Sequence, residues 1–340
     1  MRSRVLLAAI LSAVLIAGAA TYTLVAGRRH HAGAAAPGQT VSVAPAARIL
    51  VRSTAPASFG HLATVARDDP GGSRLVSPVS CDRAYAAAGT AICLRPDGPL
   101  ATYQLAVLDS SLRQKHAYPL VGVPNRARVS PSGHLLAWTV FVTGDSYNGG
   151  RFSTRVGMLN TATGDTVDTL ETFTVIRDGR PYQAADLNFW GVTFTDDTHF
   201  HATMSTAGHR YLVAGDIGAR TVRTVAENVE CPSLSPDGTK VVFKQAIGGD
   251  PAKGWRLSVL DLATMRRTPL AETRSVDDQA AWLGNDTVMY ALRPGARRSD
   301  VWSVPADGSG RPSILVPDAE SPAALDAQSA RGGTAQPAGR

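Results

Sequence analysis

Ser235-Pro236-Asp237-Gly238 runs directly into Thr239-Lys240-Val241-Val242-Phe243, a Pro/Gly turn feeding a short apolar strand. The same pattern stands earlier, where Ser130-Pro131-Ser132-Gly133 precedes His134-Leu135-Leu136-Ala137-Trp138. Weaker copies are Phe194-Thr195-Asp196-Asp197 before Thr198-His199-Phe200, and Leu283-Gly284-Asn285-Asp286 before Thr287-Val288-Met289-Tyr290. Ala88-Gly89 before Thr90-Ala91-Ile92-Cys93-Leu94 is a fifth. Asp and Asn stand where Gly stood because both tolerate positive φ in tight turns.

A second signal follows each copy: an apolar strand ending in an acidic or amide turn residue. The series is Val107-Leu108-Asp109, Met158-Leu159-Asn160, Ala214-Gly215-Asp216, Val259-Leu260-Asp261 and Val304-Pro305-Ala306-Asp307. Successive members lie about 45 to 56 residues apart, the length of four short strands with turns, which is one propeller blade. No stretch beyond the N-terminus carries sustained helical periodicity, so an α/β sheet, which needs a helix between successive strands, is excluded. Five complete units leave pieces at both ends. Glu320 to Leu325 reads as an innermost strand without partners, and Arg48–Ser53, His61–Arg67 and Arg74–Val79 as three strands without an innermost one. Joined, they make a composite sixth blade and remove two exposed sheet edges. The expected fold is an all-β, six-bladed β-propeller spanning residues 46–326, with a barrel or sandwich as the alternative.

The stretch Ser235 to Phe243, followed by Leu257-Ser258-Val259-Leu260-Asp261-Leu262-Ala263-Thr264, resembles the propeller repeat of the TolB-like family, of the PD40 type. Asp300-Val301-Trp302-Ser303-Val304-Pro305-Ala306-Asp307-Gly308-Ser309-Gly310 is similar to it too. The resemblance implies the propeller fold and an interaction role, and it is weak for function because such repeats serve scaffolds, sensors and peptidase accessory domains. TolB itself carries a separate α/β domain before its propeller, whereas here a hydrophobic segment and a linker stand there. Docking to Tol-system partners is therefore not carried over.

Arg2 and Arg4 precede an uncharged apolar run, residues 5–26, closed by Arg28 and Arg29. At about 22 residues it is long enough to span a hydrocarbon core that needs about 20. The reading is a cytoplasmic stub of residues 1–4 and a single-pass transmembrane signal-anchor helix with the propeller outside the cytoplasm. Secretion after cleavage at Ala17-Gly18-Ala19 is the alternative. Residues 27–45, rich in Ala, Pro and Gly, read as a flexible linker, and 327–340 as a disordered tail.

The net charge of +6 is spread thinly, with no basic run longer than a pair, so nucleic-acid binding is not expected. Cys81 and Cys93 flank an opening hairpin, and an exported chain permits their oxidation, so a disulfide is expected; Cys231 is left over. No GxSxG, HExxH, GxxxxGK[ST] or CxxC pattern occurs, so no catalytic residue, cofactor or metal is expected and the chain reads as a non-enzyme. His199 and His201 share a strand face without a third donor, and Asp196-Asp197 and Asp277-Asp278 fit turn hydrogen bonding better than acid/base work.

Aligning the turns places Cys81, Arg126, Trp190, Cys231, Gln279 and Glu320 or Ser321 beside the central channel, with Asp186, Asn188, Glu230 and Asp277 as neighbours. Arg126, Asp186, Asn188, Trp190, Glu230, Asp277, Gln279 and Glu320 form the candidate binding mouth, where blade loops converge. The expected role is a monomeric interaction module for an envelope protein or cell-wall component, held to the membrane by residues 5–26. The rival is a lactonase-like, metal-dependent hydrolase, with Asp186, Glu230, Asp277 and Glu320 holding a hard cation.

Overall fold

The computed structural model describes residues 40–98, 102–142, 153–293 and 298–326. The apolar run 5–26 and the tail 327–340 lie outside them. Among the described residues no helix is long and apolar enough to cross a membrane.

Six sheets stand around one axis. Blade 1 is composite: Ala319–Ala324 is innermost, then Arg48–Ser53, His61–Ala66 and Arg74–Ser80. Its closing pairs are Ile49 with Ala324 and Ser53 with Ala319. Blade 2 runs Arg83–Ala87, Thr90–Asp97, Thr102–Leu108 and Gln114–Leu120. The inner strands of blades 3 to 6 are Val123–Val129, Asn188–Phe194, Glu230–Leu234 and Ala281–Leu283. The order of strands, the closure by both ends and the blade count agree with the sequence reading.

Alternation along the strands buries both faces of each sheet, so every blade packs on two neighbours. The result is one apolar cluster at each of the six blade interfaces. Phe189, Phe200 and Met204 meet Val156 and Met158 between blades 3 and 4; Phe243 and Val241 meet Leu212 between blades 4 and 5. The other four clusters complete the ring. Burial of such side chains contributes roughly 1.5–3 kcal/mol each, which is why a wheel with no central apolar core is stable.

The repeated turns work as their chemistry requires. Asp237 Oδ1 accepts from Ser235 Oγ and from Thr239 N, while Ser235 Oγ accepts from Lys240 N. Gly238, at φ +71°, stands where a side chain would be strained. The second signal caps itself as well: the side-chain oxygens of Asp109, Asn160, Asp216, Asp261 and Asp307 each accept a backbone N–H of their own turn. Both turn sets lie at one end of the wheel, the turn face. Inner strands begin at the opposite end, the mouth face.

Two regions differ from the sequence reading. Blade 4 has six strands, because a hairpin of Thr174–Arg177 and Arg180–Tyr182 joins its outer edge by parallel pairing to Thr221–Glu227. Asp178-Gly179, both at positive φ, is its turn, an Asp-Gly hairpin signal that lies outside the blade repeat. At the N-terminus, the last part of the linker is docked: Val41 and Val43 are buried against Leu108, Leu112 and Leu325, and Val43 N donates to the Ser110 carbonyl.

Candidate functional site at the channel mouth

The inner strands do not run straight to the mouth. Register breaks fall between Trp190 and Thr193, between Glu230 and Ser233, and opposite Leu50 to Arg52 in the composite blade. At these bulges Gly191, Cys231 and Ser321 take φ of +66°, +48° and +52°. An inserted residue re-aims its neighbour's side chain, here Trp190, Glu230 and Glu320. Buried threonines of the preceding blades hold two of the bulges: Thr139 Oγ1 accepts from Gly191 N, and Thr203 Oγ1 from Cys231 N. Gly191 is required here, because a Cβ would meet the Cys231 Cα at 2.8 Å.

The cavity so framed has a volume of about 690 Å³. Trp190 and Trp255 give it aromatic walls, and Arg83, Arg126, Lys244, Arg293, Glu230, Asp277 and Asp278 give it charge. A smaller cavity of about 280 Å³ adjoins it, lined by Arg52, Arg83, Arg293 and Glu320 among others. Deeper in, the channel is stitched shut. Gln279 Nε2 donates to the Val192 and Pro232 carbonyls, and Arg128 Nη2 donates to the Ala280 carbonyl. The mouth is a cup rather than a pore.

Its charges are linked. Glu320 lies 2.8 Å from Arg52, 3.2 Å from Arg293 and 3.9 Å from Arg83. Arg126 stands 3.5 Å from Asp278. Burial works against the Asp278 charge, yet Arg126 and Arg83 hold its carboxyl below the usual carboxylate range. Opposite them, Lys244 pairs with Asp277 and sits 4.0 Å from Glu230, which Arg210 meets at 2.7 Å. Burial dominates at Glu230 and pushes its carboxyl up to about 7 against the pull of Lys244 and Arg210.

No family model and no curated protein matches the sequence. Solved structures match the fold. TolB from Acinetobacter baumannii superposes with a TM-score of 0.56 at 17% identity, over 82% of this chain and 66% of that one. A chain of the nidogen/laminin complex gives 0.55 at 10% identity, over 83% of this chain and 99% of that one. A putative TolB from Agrobacterium tumefaciens gives 0.48 at 12% identity, over 81% and 90%. The fold is that of a TolB-like six-bladed propeller. The chain spans just under two thirds of the Acinetobacter TolB that it matches.

Five of the eight expected mouth residues line the main cavity: Arg126, Asn188, Trp190, Glu230 and Asp277. Glu320 lines the adjoining one. Gln279 lies below, in the stitch. Asp186 faces elsewhere and caps a blade 4 hairpin, accepting from Thr206 Oγ1 at 2.7 Å and Ala207 N at 2.6 Å. Asn188 is a latch to blade 3: its amide donates to Ser153 Oγ and the Thr154 carbonyl, and its oxygen accepts from Thr154 Oγ1. The four carboxylates of the hydrolase reading do not converge, since Asp186 is a hairpin cap and Glu320 is enclosed by arginines. Among the described residues no group of three or more His, Cys, Asp and Glu could hold a metal ion. His199 instead pairs with Asp196.

The expected bond between Cys81 and Cys93 is present, with Cα atoms 5.5 Å apart. It fixes the start of blade 2, where the Cys81 carbonyl accepts from Arg52 Nε. Cys231 is free and buried at the cavity wall. Sequence reasoning missed Arg83, Lys244, Trp255, Asp278 and Arg293. Lys244 lies two residues before the end of a second strand, Trp255 opens a third and Arg293 follows a second. An alignment of inner strands alone cannot see them. Arg83 opens an inner strand, and its available signal was a charge at that position two residues after Cys81.

Proposed function

We propose that this chain is an extracytoplasmic interaction module, tethered to the membrane by residues 5–26, that takes an envelope protein or cell-wall component at its mouth face. The observation that carries this reading is the built mouth: bulges in three inner strands aim Trp190, Glu230 and Glu320 into a cup of about 690 Å³ with its adjoining pocket. Conformational strain repeated around one rim is a feature of sites rather than of scaffolding. A disulfide favours an oxidising compartment. The TolB-like fold, shared with a chain of the nidogen/laminin complex, supports a protein partner in general.

The test compares the two faces in intact cells of the source organism. A photo-crosslinking residue replaces Trp190 at the mouth, and in a second protein Thr239 at the turn face. One defined adduct from position 190, lost on adding Arg126→Ala, supports the reading. Equal adducts from both positions, or none from 190, refute it.

A further inference from the structure

One side of the mouth holds more positive charge than its own carboxylates can absorb. Arg52, Arg83, Arg126 and Arg293 stand there, and among the described residues only Glu320 and Asp278 pair with them; Asp82 lines the smaller cavity without an ion pair to any of the four. Arg52 and Arg293 take the Glu320 oxygens directly, and Arg126 is held by Asn125 and by Asp278. Arg83 is the remainder. Its side chain is only 20% exposed, and among the described residues its one ion pair is the 3.9 Å approach to Glu320 and its guanidinium makes no hydrogen bond. It borders both mouth cavities. Arg126 nearby leaves its own Nε without a partner.

A desolvated guanidinium without hydrogen bonds is unfavourable unless something else satisfies its five donors. Burial, and then the like charges of Arg126 and Arg293, make Arg83 easier to deprotonate than usual, against the pull of Asp278 and Glu320. The far wall has a smaller surplus, because each of its cations, Lys244 and Arg210, has a carboxylate within ion-pair distance, Asp277 and Glu230. The planar fork of Arg83 matches a carboxylate or phosphate in a bidentate manner.

We infer that Arg83, backed by Arg126 and Arg293, is an oxyanion site, and that the ligand of the mouth presents a carboxylate or phosphate to it. This rests on the mouth being the recognition site and adds the chemistry of what enters. The oxyanion lies between the two cavities, with the rest of the ligand against Trp190.

Calorimetric titration of the full-length protein tests it with four probes: citrate, inorganic phosphate, a tetraglutamate peptide capped at both ends, and the matching tetraglutamine peptide. Saturable binding of at least one anionic probe is expected, with none of tetraglutamine, and the affinity falls as salt rises. Arg83→Gln weakens it at least about tenfold while melting no lower than wild type, because it removes a charge that the fold does not hydrogen-bond. Should Arg83→Gln fail to fold, Arg83→Lys serves: it keeps the charge, loses the fork and still weakens binding several-fold. Preference for tetraglutamate assigns the oxyanion to a peptide chain, and preference for citrate or phosphate to a free small anion. The inference is overturned if no anionic probe saturates at millimolar concentration, or if every folded Arg83 variant binds as wild type does. A specific adduct at position 190 without anion binding would sink this inference alone. Anion binding without such an adduct would sink the docking reading alone.

Discussion

The two ends of the wheel spend the same residue types in opposite ways. On the turn face, Asp, Ser and Thr close their hydrogen bonds within one turn or onto the adjacent blade. Ser130 and Ser132 both donate to Asp197 of blade 4, and Asp237 N donates to Asn285 of blade 6. On the mouth face, charged groups are buried in unequal numbers, and bulges turn side chains out of the sheet. Polarity alone therefore does not mark a site. What separates the faces is whether the polar groups finish their business locally, which is the difference between a cap and a receptor.

The largest expected effect is at Glu320. Glu320→Ala leaves Arg52 buried with the Cys81 carbonyl but without its carboxylate, and should cost about 3–5 kcal/mol in urea unfolding. A loss below about 1 kcal/mol would mean that the mouth charges are solvated like those of the turn face, and the contrast would collapse.

Next is the pH response. With Glu230 pushed up to about 7, the folded protein keeps a proton that the unfolded chain releases near pH 4.5. Stability should therefore fall as pH rises from about 4.5 to 7, by up to about 3 kcal/mol, and level off above. His201, depressed to about 4 by burial, works in the other direction, adding stability as pH rises from about 4 to 6.5. Comparison of wild type with Glu230→Gln at each pH isolates the Glu230 part. A difference between them that does not change with pH would show that Glu230 ionises normally.

The smallest test is a matched pair of glycines. Gly191 and Gly238 have φ of +66° and +71°, so Ala is strained at both by about 1 kcal/mol. A Cβ at Gly238 meets nothing within 4 Å, whereas at Gly191 it meets the Cys231 backbone. Thermal melts should show Gly191→Ala costing about 2 kcal/mol more than Gly238→Ala. Equal costs would mean that the inner-strand bulges yield easily and do not fix the mouth.

Most of the wheel was readable because its determinants are local. Turn chemistry at Ser235 to Gly238, and the Asp or Asn that ends each third strand, repeat at the length of a blade and need no knowledge of tertiary structure. The unpaired strands at both ends then had one economical solution. The Cys81–Cys93 bridge was legible for the same reason, as a contact inside one hairpin. The mouth was legible only as far as the inner strands aligned. Lys244, Trp255 and Arg293 reach it from other strands and loops, and their convergence is a property of ring closure rather than of spacing. Asp186 was misleading because two residues along a strand entrance is far enough to face a different blade edge. The bulges were hidden because Trp190-Gly191, Glu230-Cys231 and Glu320-Ser321 share geometry without sharing sequence.

The docking of Val41 and Val43 beside Ser110, and of Ala46 on Leu325, has an orientational consequence. Chain leaves the wheel toward its N-terminus beneath the self-capped turns, on the side away from the cup, and Asp326 leaves there too, tied to Arg67. The cup and the two described chain ends therefore lie on opposite faces, so a molecule filling the cup leaves the side that carries both ends uncovered.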